Sequence, residues 1–361
     1  MSYKPSLLLD ARMYNFSGIG RYIKLLLNFL PKYFDVTLFS YEGDIVPNSC
    51  KIVELKSKIY SPLEQIELKL KVKKTDVFWT PHFNSPFFNI PAKVRIATIH
   101  DIFHLSPLNE ISKLKKYYAK LLIENTILKS NLIFTVSNFT KEEVVKYFKL
   151  KDKDAEKIKP IWLAIDDDFF NSCNGDLDSQ YGDFILYVGN VKKHKNILGL
   201  LKAFQILSSK LDDINLVIVG KKENFISGNI REEEIGRFKD RVFFKGVVND
   251  KELRYLYSKA SGLVLPSFYE GFGLPPLEAL LCGCPVALSD IPVFKEVYGE
   301  TALYFNPNDP TDIAQKVYQL IKDKDLREKI LFSFSEKKKI FSIERMEKEY
   351  ITVLKSLGVI A

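Results

Sequence analysis

Two glutamates, Glu270 and Glu278, stand with seven residues between them inside the stretch Ser267–Leu280. Gly271 and Gly273 lie in that interval, and Pro275 and Pro276 follow. Without a Cβ at either glycine, backbone N–H groups can come close to a ligand. The two prolines suit the first turn of a helix, where a missing N–H costs nothing. A helix N-terminus behind a glycine loop is an anion site. The apolar run Gly262–Pro266 reads as the buried strand that leads into it. Two carboxylates ~6 Å apart repel by roughly 3 kcal/mol at an effective dielectric of ~20, and a bound anion adds to that. The site therefore needs a cation from elsewhere and a ligand with hydroxyls for the acids. A phosphorylated, hydroxyl-rich molecule fits. The alternative is an ordinary strand–loop–helix junction with two solvated glutamates.

Lys195 is the candidate cation. It follows the expected strand Phe184–Val188 in the loop Gly189–Asn196, at the expected start of the next helix. That is a natural place for a positive charge to meet a diphosphate. Lys192 or Lys193 could assist, and a merely basic, hydrated loop is the alternative. His100 closes the strand-like run ending Thr98-Ile-His, where an imidazole can donate a hydrogen bond or carry a proton. His82, in Thr80–Asn84, is a further candidate.

Gly18-Ile-Gly20 opens a helix after the first strand. The third glycine of a dinucleotide fingerprint is replaced by Ile23, and Asp35 begins the second strand instead of ending it, which argues against a dehydrogenase. A glycine loop facing a phosphate, or a helix start with permissive glycines, remains. Asp166-Asp-Asp168 permits a D-x-D metal reading, but it falls in an expected linker and reads as a solvated turn. There is neither zinc-ligand spacing nor a phosphate-binding P-loop.

The elements that must position these residues are short apolar strands alternating with amphipathic helices in both halves. That pattern predicts parallel sheets covered on both faces. A length of 361 residues fits two domains. The change of texture near 160–182 places the boundary at 171/172, giving domains 1–171 and 172–342 and a final helical segment 343–361. If the carboxyl ends of the two sheets face each other, the chemistry lies in a cleft between them.

No stretch reaches the ~18 apolar residues of a membrane span, and no signal-peptide pattern opens the chain. The four cysteines lack C-x-x-C spacing; Cys282 and Cys284 read as small buried thiols, in keeping with a reduced, cytoplasmic chain. Net charge is +8, and Lys51 through Lys159 alone holds 21 basic against 12 acidic residues. Such a surplus predicts an anionic partner. Signatures of nucleic-acid binding are absent, so an anionic membrane surface is the expectation, against a plainly solvated lysine-rich face.

Taken together, Glu270-Gly-Phe-Gly-Leu-Pro-Pro-Leu-Glu278, Gly283–Val286, Ser289–Glu296, Gly18–Tyr22, Ile99–Asp101, Thr135–Lys141, Tyr187–Asn190 and His194–Asn196 resemble the retaining GT-B glycosyltransferases of family four. The resemblance spans nearly the whole chain. It implies an α/β fold of two Rossmann-like domains facing each other across a cleft, with the last helix crossing back to the first. It implies that Lys195 holds the diphosphate of a nucleotide-sugar donor, Glu278 its ribose and Glu270 the transferred sugar. The amides of Gly271, Phe272, Gly273 and Leu274 would line sugar and phosphate. Gly18, Gly20, Gly189 and Asn190 belong to donor-facing loops, and His100 lies near the transferred hexose. His82 and Asp101 are candidates for the acceptor side. Many relatives carry arginine where this chain has Asn190, which leaves Lys192 as a candidate second cation.

The implied reaction is hexose transfer with retention, needing no cofactor and no obligatory metal. Mannose from GDP-mannose is the first choice of donor, with a UDP-sugar as the alternative. The acceptor is a saccharide or lipid-linked saccharide of polysaccharide or O-antigen-type assembly. The enzyme would then be cytoplasmic and peripheral at the inner face of the plasma membrane, without a nucleic-acid partner. A non-catalytic subunit that binds nucleotide sugar or glycan is the rival from another class.

Overall fold

The structure is a computed structural model that describes residues 4–44, 47, 50–165, 181–220 and 240–360. Two compact units emerge, Met1–Ala164 together with Ile343–Ala361, and Ile165–Ser342. The expected boundary at 171/172 and the Asp166–Asp168 triplet lie outside the described residues.

The first unit is built on a parallel sheet of seven strands. In chain order these are β1 (Ser6–Asp10), β2 (Asp35–Tyr41), β3 (Lys51–Leu55), β4 (Thr75–Thr80), β5 (Ala92–Ile99), β6 (Leu132–Thr135) and β7 (Ile158–Pro160). Helices α1 (Ser17–Tyr33), α2 (Pro62–Lys71), α3 (Lys113–Lys129), α4 (Asn138–Phe148) and α5 (Asp152–Glu156) connect them. The spatial order is β3-β2-β1-β4-β5-β6-β7. Leu7, Leu8 and Leu9 are buried in succession, as a strand covered on both faces requires. One core cluster joins Leu8, Phe39 and Phe78 to Leu68 of α2. Another joins Ile99 and Ile133 to Leu122 and Ile123 of α3. Side-chain caps fix the helix starts: Ser61 accepts from the Glu64 N–H and Ser137 from the Thr140 N–H.

The second unit holds β8 (Asp183–Val188), α6 (Ile197–Ser208), β9 (Ile214–Val219), β10 (Val242–Gly246), α7 (Asp250–Lys259), β11 (Gly262–Leu265), α8 (Leu274–Leu281), β12 (Val286–Ser289), α9 (Pro292–Tyr298), β13 (Leu303–Phe305), α10 (Pro310–Lys322) and α11 (Lys324–Lys337). Its six strands are parallel in the order β10-β9-β8-β11-β12-β13. Strand order reverses between β1 and β4 in the first unit and between β8 and β11 in the second. In open parallel sheets, ligands bind beyond the carboxyl ends of the strands at such a reversal.

The last helix, α12 (Ile343–Ser356), belongs to the first unit. Its Tyr350 is fully buried, with its hydroxyl 2.9 Å from that of Tyr22 and its ring against Trp79 and Phe134. Lys32 Nζ meets Glu347 at 2.7 Å on the surface above. Among the cysteines, Cys284 is a buried free thiol. Cys282 is only half-buried at the end of α8, which corrects the expectation of a second buried thiol, while Cys284 enters the core ahead of β12.

Candidate active site

In the second unit, the loop between β11 and α8 brings the two glutamates to separate partners. Glu270 Oε1 receives Lys195 Nζ at 2.6 Å and the Ser267 hydroxyl at 2.9 Å. The pair is 21% and 13% exposed, so it is screened less than a surface ion pair. Glu278, on α8, is buried and accepts from the Tyr257 hydroxyl at 2.8 Å. The repulsion expected between the two carboxylates is thus met by a cation on one and a hydroxyl on the other.

The backbone explains how Lys195 reaches that place. Residues 193–195 form a single tight turn, ended by Asn196 in the left-handed conformation at φ 55°. Asn196 then caps α6, accepting from the Gly199 N–H at 3.2 Å and donating to the Pro307 carbonyl at 2.7 Å. The Phe268 N–H donates to the His194 carbonyl at 2.8 Å, tying the lysine turn to the glutamate loop. Gly273 caps α8 at φ +92°, and a Cβ there would lie 2.6 Å from the Phe294 ring. Its carbonyl accepts from the Tyr298 hydroxyl. Pro275 falls in the first turn, as its missing N–H allows. Gly189 and Asn190, just beyond β8, are partly exposed, as is Gly271, while Phe272 is buried. Burial, then the negative charge of Glu270, raises the Tyr187 and Tyr298 phenols well above their usual range, so both stay neutral.

In the first unit, His100 Nε2 lies 2.8 Å from the Pro81 carbonyl, and its ring meets Tyr22 edge-on at 4.8 Å. Burial lowers its pKa to about 4, against smaller opposing effects from the Pro81 carbonyl and Asp101. The ring is therefore neutral at pH 7. Because a carbonyl can only accept, Nε2 carries the proton and Nδ1 keeps a lone pair. Asp101 is half-buried and accepts from the Phe103 N–H at 2.9 Å. Gly20 is held by its surroundings: a Cβ would lie 2.3 Å from the Tyr14 carbonyl oxygen. At Gly18 a Cβ would meet nothing within 4 Å.

His82 is buried and sits in a charged cluster that the sequence reading passed over. Arg12 Nε donates to Asp10 Oδ1 at 2.8 Å, and its Nη2 lies 2.6 Å from Glu64 Oε1. His82 Nε2 is 3.3 Å from Asp10 Oδ2, and its Nδ1 accepts from the Asn84 N–H at 3.3 Å. Burial alone would raise the Asp10 carboxyl, but Arg12, by charge and hydrogen bond, and His82 hold it well below the carboxylate range. Asp10 ends β1, at the strand reversal, and Glu64 lies in the first turn of α2. The cluster therefore locks α2 to the end of the sheet where a ligand would sit. The signal was present in Asp10-Ala-Arg12, a charged pair directly after three buried leucines. Ser267 and Tyr257, which hold the two glutamates, had no sequence signal of their own.

A profile described as glycosyl transferases group 1 matches residues 179–331. The O-antigen chain mannosyltransferase RfbU of Salmonella typhimurium is 32% identical over 272 residues, covering 74% of this chain and 71% of that protein. The O-antigen chain mannosyltransferase B of Escherichia coli is 30% identical over 258 residues, covering 68% of this chain and 66% of that protein. The chain thus spans about two thirds of the length of these curated relatives. A structure of Anabaena Alr3699/HepE in complex with UDP-glucose superposes with a TM-score of 0.78 at 16% identity, covering 98% of this chain and all of that one.

Proposed function

Because the chain belongs to the group 1 glycosyltransferases, we propose that it moves a mannosyl residue from GDP-mannose to a saccharide or lipid-linked saccharide in O-antigen-type polysaccharide synthesis. The names of both mannosyltransferase relatives support mannose as the transferred sugar and an O-antigen chain as the product. The observation that carries the reading is the meeting of Lys195, Glu270 and Ser267 beyond β8 and β11, where the second sheet reverses its strand order.

In the reaction, the acceptor oxygen attacks the anomeric carbon, and the bond from that carbon to the phosphate oxygen breaks. The nucleoside diphosphate leaves with the bonding electrons, and one of its oxygens takes the acceptor proton. Lys195 and the N–H groups of Gly273 and Leu274, where α8 begins, stabilise the charge that grows on the leaving group. Glu270 exchanges its partners Lys195 and Ser267 for sugar hydroxyls, and Glu278 holds the ribose beside Tyr257. Such hydroxyl contacts orient the anomeric carbon toward the acceptor. Attack from the side of the departing diphosphate retains the anomeric configuration. With Lys195 carrying the charge, the reading assigns no obligatory metal. A lipid-linked acceptor would place the enzyme at the cytoplasmic membrane surface.

Thermal stabilisation by a panel of nucleotides and nucleotide sugars, with and without chelator, tests the donor. A ligand that binds only the folded state raises the midpoint by mass action. Selective stabilisation by GDP and GDP-mannose, indifferent to chelator, is the expected result. Stabilisation by UDP species alone would replace the donor, and a requirement for divalent metal would overturn the metal-free reading. Binding without any sugar transfer to an acceptor would favour a glycan-binding subunit.

A further inference from the structure

Tyr60 holds a backbone conformation that large side chains avoid. Its φ is +67°, in the left-handed region that favours glycine. Such strain persists only where the surroundings impose it, and it collects at ligand sites. Here the surroundings impose it amide by amide. The Lys56 and Ser57 N–H groups donate to the Glu67 carboxylate at 2.9 and 2.8 Å. The Ile59 N–H donates to the Tyr41 hydroxyl at 2.9 Å, and the Ser61 N–H to the Lys58 carbonyl at 3.1 Å. The Tyr60 N–H itself donates to Glu64 Oε2 at 2.7 Å, an oxygen that also accepts from Asn84 at 2.7 Å. Glu64 is the acid paired with Arg12, so the buried charged cluster fixes Tyr60 as well as α2.

The loop follows β3, which is an edge strand, yet the Tyr60 ring reaches the residues beyond β4, beside the strand reversal. It stacks on Phe83 with centroids 5.5 Å apart and meets His82 edge-on at 5.8 Å. The hydroxyls of Tyr22, Tyr257 and Tyr298 all end on protein partners. That of Tyr60 has none among the described residues, and it is not sealed from water. Burial of the ring, then the charges of Glu64, Asp10 and Asp101, raise the phenol well above its usual range. It therefore stays protonated at pH 7 and is a ready donor.

We propose that Tyr60 is a specificity-determining residue of the acceptor site, its hydroxyl donating to one particular hydroxyl of the acceptor saccharide. The identity of that ligand rests on the transferase reading. The charges around the phenol select a neutral polyol. Asp10, Glu64 and Asp101 stand against Arg12, so a further anion would be repelled, while a sugar hydroxyl accepts from Tyr60 without adding charge. Because stacking and backbone bonds already hold the donor, binding orders little that was loose. The cost of the strained residue is thereby tied to a use: it fixes which hydroxyl of the acceptor is recognised.

The test is ligand-detected NMR of the full chain, without nucleotide, against methyl α-mannoside, mannotriose and methyl N-acetylglucosaminide at up to about 20 mM. At least one should bind the wild type, and Tyr60→Phe should weaken that binding about tenfold, as loss of one well-placed hydrogen bond does. Tyr60→Phe keeps the ring and the backbone, so its thermal midpoint should stay at the wild-type value. Tyr117→Phe, at an exposed position of α3, should bind as the wild type does. Among monodeoxy analogues of the bound sugar, one should lose about tenfold with the wild type and nothing further with Tyr60→Phe, since both changes delete the same bond. A tyrosine with a merely structural role would weaken every analogue alike. No saccharide binding by the wild type, equal binding by Tyr60→Phe, or losses that add for every analogue overturns the proposal. A wild type that binds saccharide through Tyr60 but shows no thermal shift with any nucleotide upholds the assignment of Tyr60 and overturns the transferase reading instead.

Discussion

Lys195 Nζ lies 2.6 Å from Glu270 Oε1, and the Ser267 hydroxyl donates to that same oxygen. The lysine is therefore poised at the carboxylate of the glutamate loop. In the proposed complex it turns to the diphosphate, freeing Glu270 for the sugar. Lys195→Ala should lower kcat/KM by about 10²- to 10³-fold, as loss of one preformed charge stabiliser does. It should also abolish the nucleotide-induced thermal shift. Glu270→Gln should lower turnover while preserving that shift. The double variant should cost less than the sum of the singles, because the two residues share a contact. Sugar transfer surviving in the double variant would remove both residues from the reaction.

The two glycines at the start of α1 separate packing from ligand approach. Gly20→Ala drives a Cβ into the Tyr14 carbonyl oxygen, a backbone atom that has little room to move. Its thermal midpoint should fall by several degrees, as about 1–3 kcal/mol of overpacking requires. Gly18→Ala meets no protein atom. Its midpoint should stay at the wild-type value, so any drop in kcat/KM must come from a ligand in that space. Unchanged kinetics in Gly18→Ala would remove Gly18 from the donor-facing loop.

Arg12 joins Asp10 at the end of β1 to Glu64 in α2, and all three are essentially excluded from water. Arg12→Met leaves two buried carboxylates without their cation. Breaking a buried pair from one side costs about 3–5 kcal/mol. Urea unfolding should show that loss, while Lys51→Met, which cuts the exposed pair with Asp35, should cost under about 1 kcal/mol. Equal effects from the two substitutions would mean that water reaches the Arg12 cluster.

Much of the architecture was legible because each strand is a short apolar run and each helix a longer amphipathic one. Helix α12 over 343–356 falls within the final helical segment expected over 343–361. The Glu270–Glu278 loop was legible because glycine, proline and carboxylate each have a distinct use there. What sequence could not supply is pairing across distance. Lys195 and Glu270 are 75 positions apart, and Arg12 and Glu64 are 52. A partner for a buried acid is chosen by strand order, which no local pattern reveals.

His100 gives the first unit a pH dependence of definite sign. The ring is free to titrate near 6.5 in the unfolded chain and is held at about 4 when folded. Above pH 6.5 it is neutral in both states and contributes no slope. Between 6.5 and 4 the unfolded chain takes up a proton that the folded chain refuses, so stability falls with pH across that window. Below 4 both states are protonated and the loss is complete, at most of order 3 kcal/mol. His100→Gln can keep a side-chain donor toward the Pro81 carbonyl but cannot titrate. Urea unfolding of both proteins from pH 8 to pH 4 should therefore give stability curves that diverge, the wild type losing stability relative to the variant as pH falls through 6.5. Parallel curves would show that the folded imidazole titrates like a solvated one, and that its Nδ1 is not reserved for a ligand by burial.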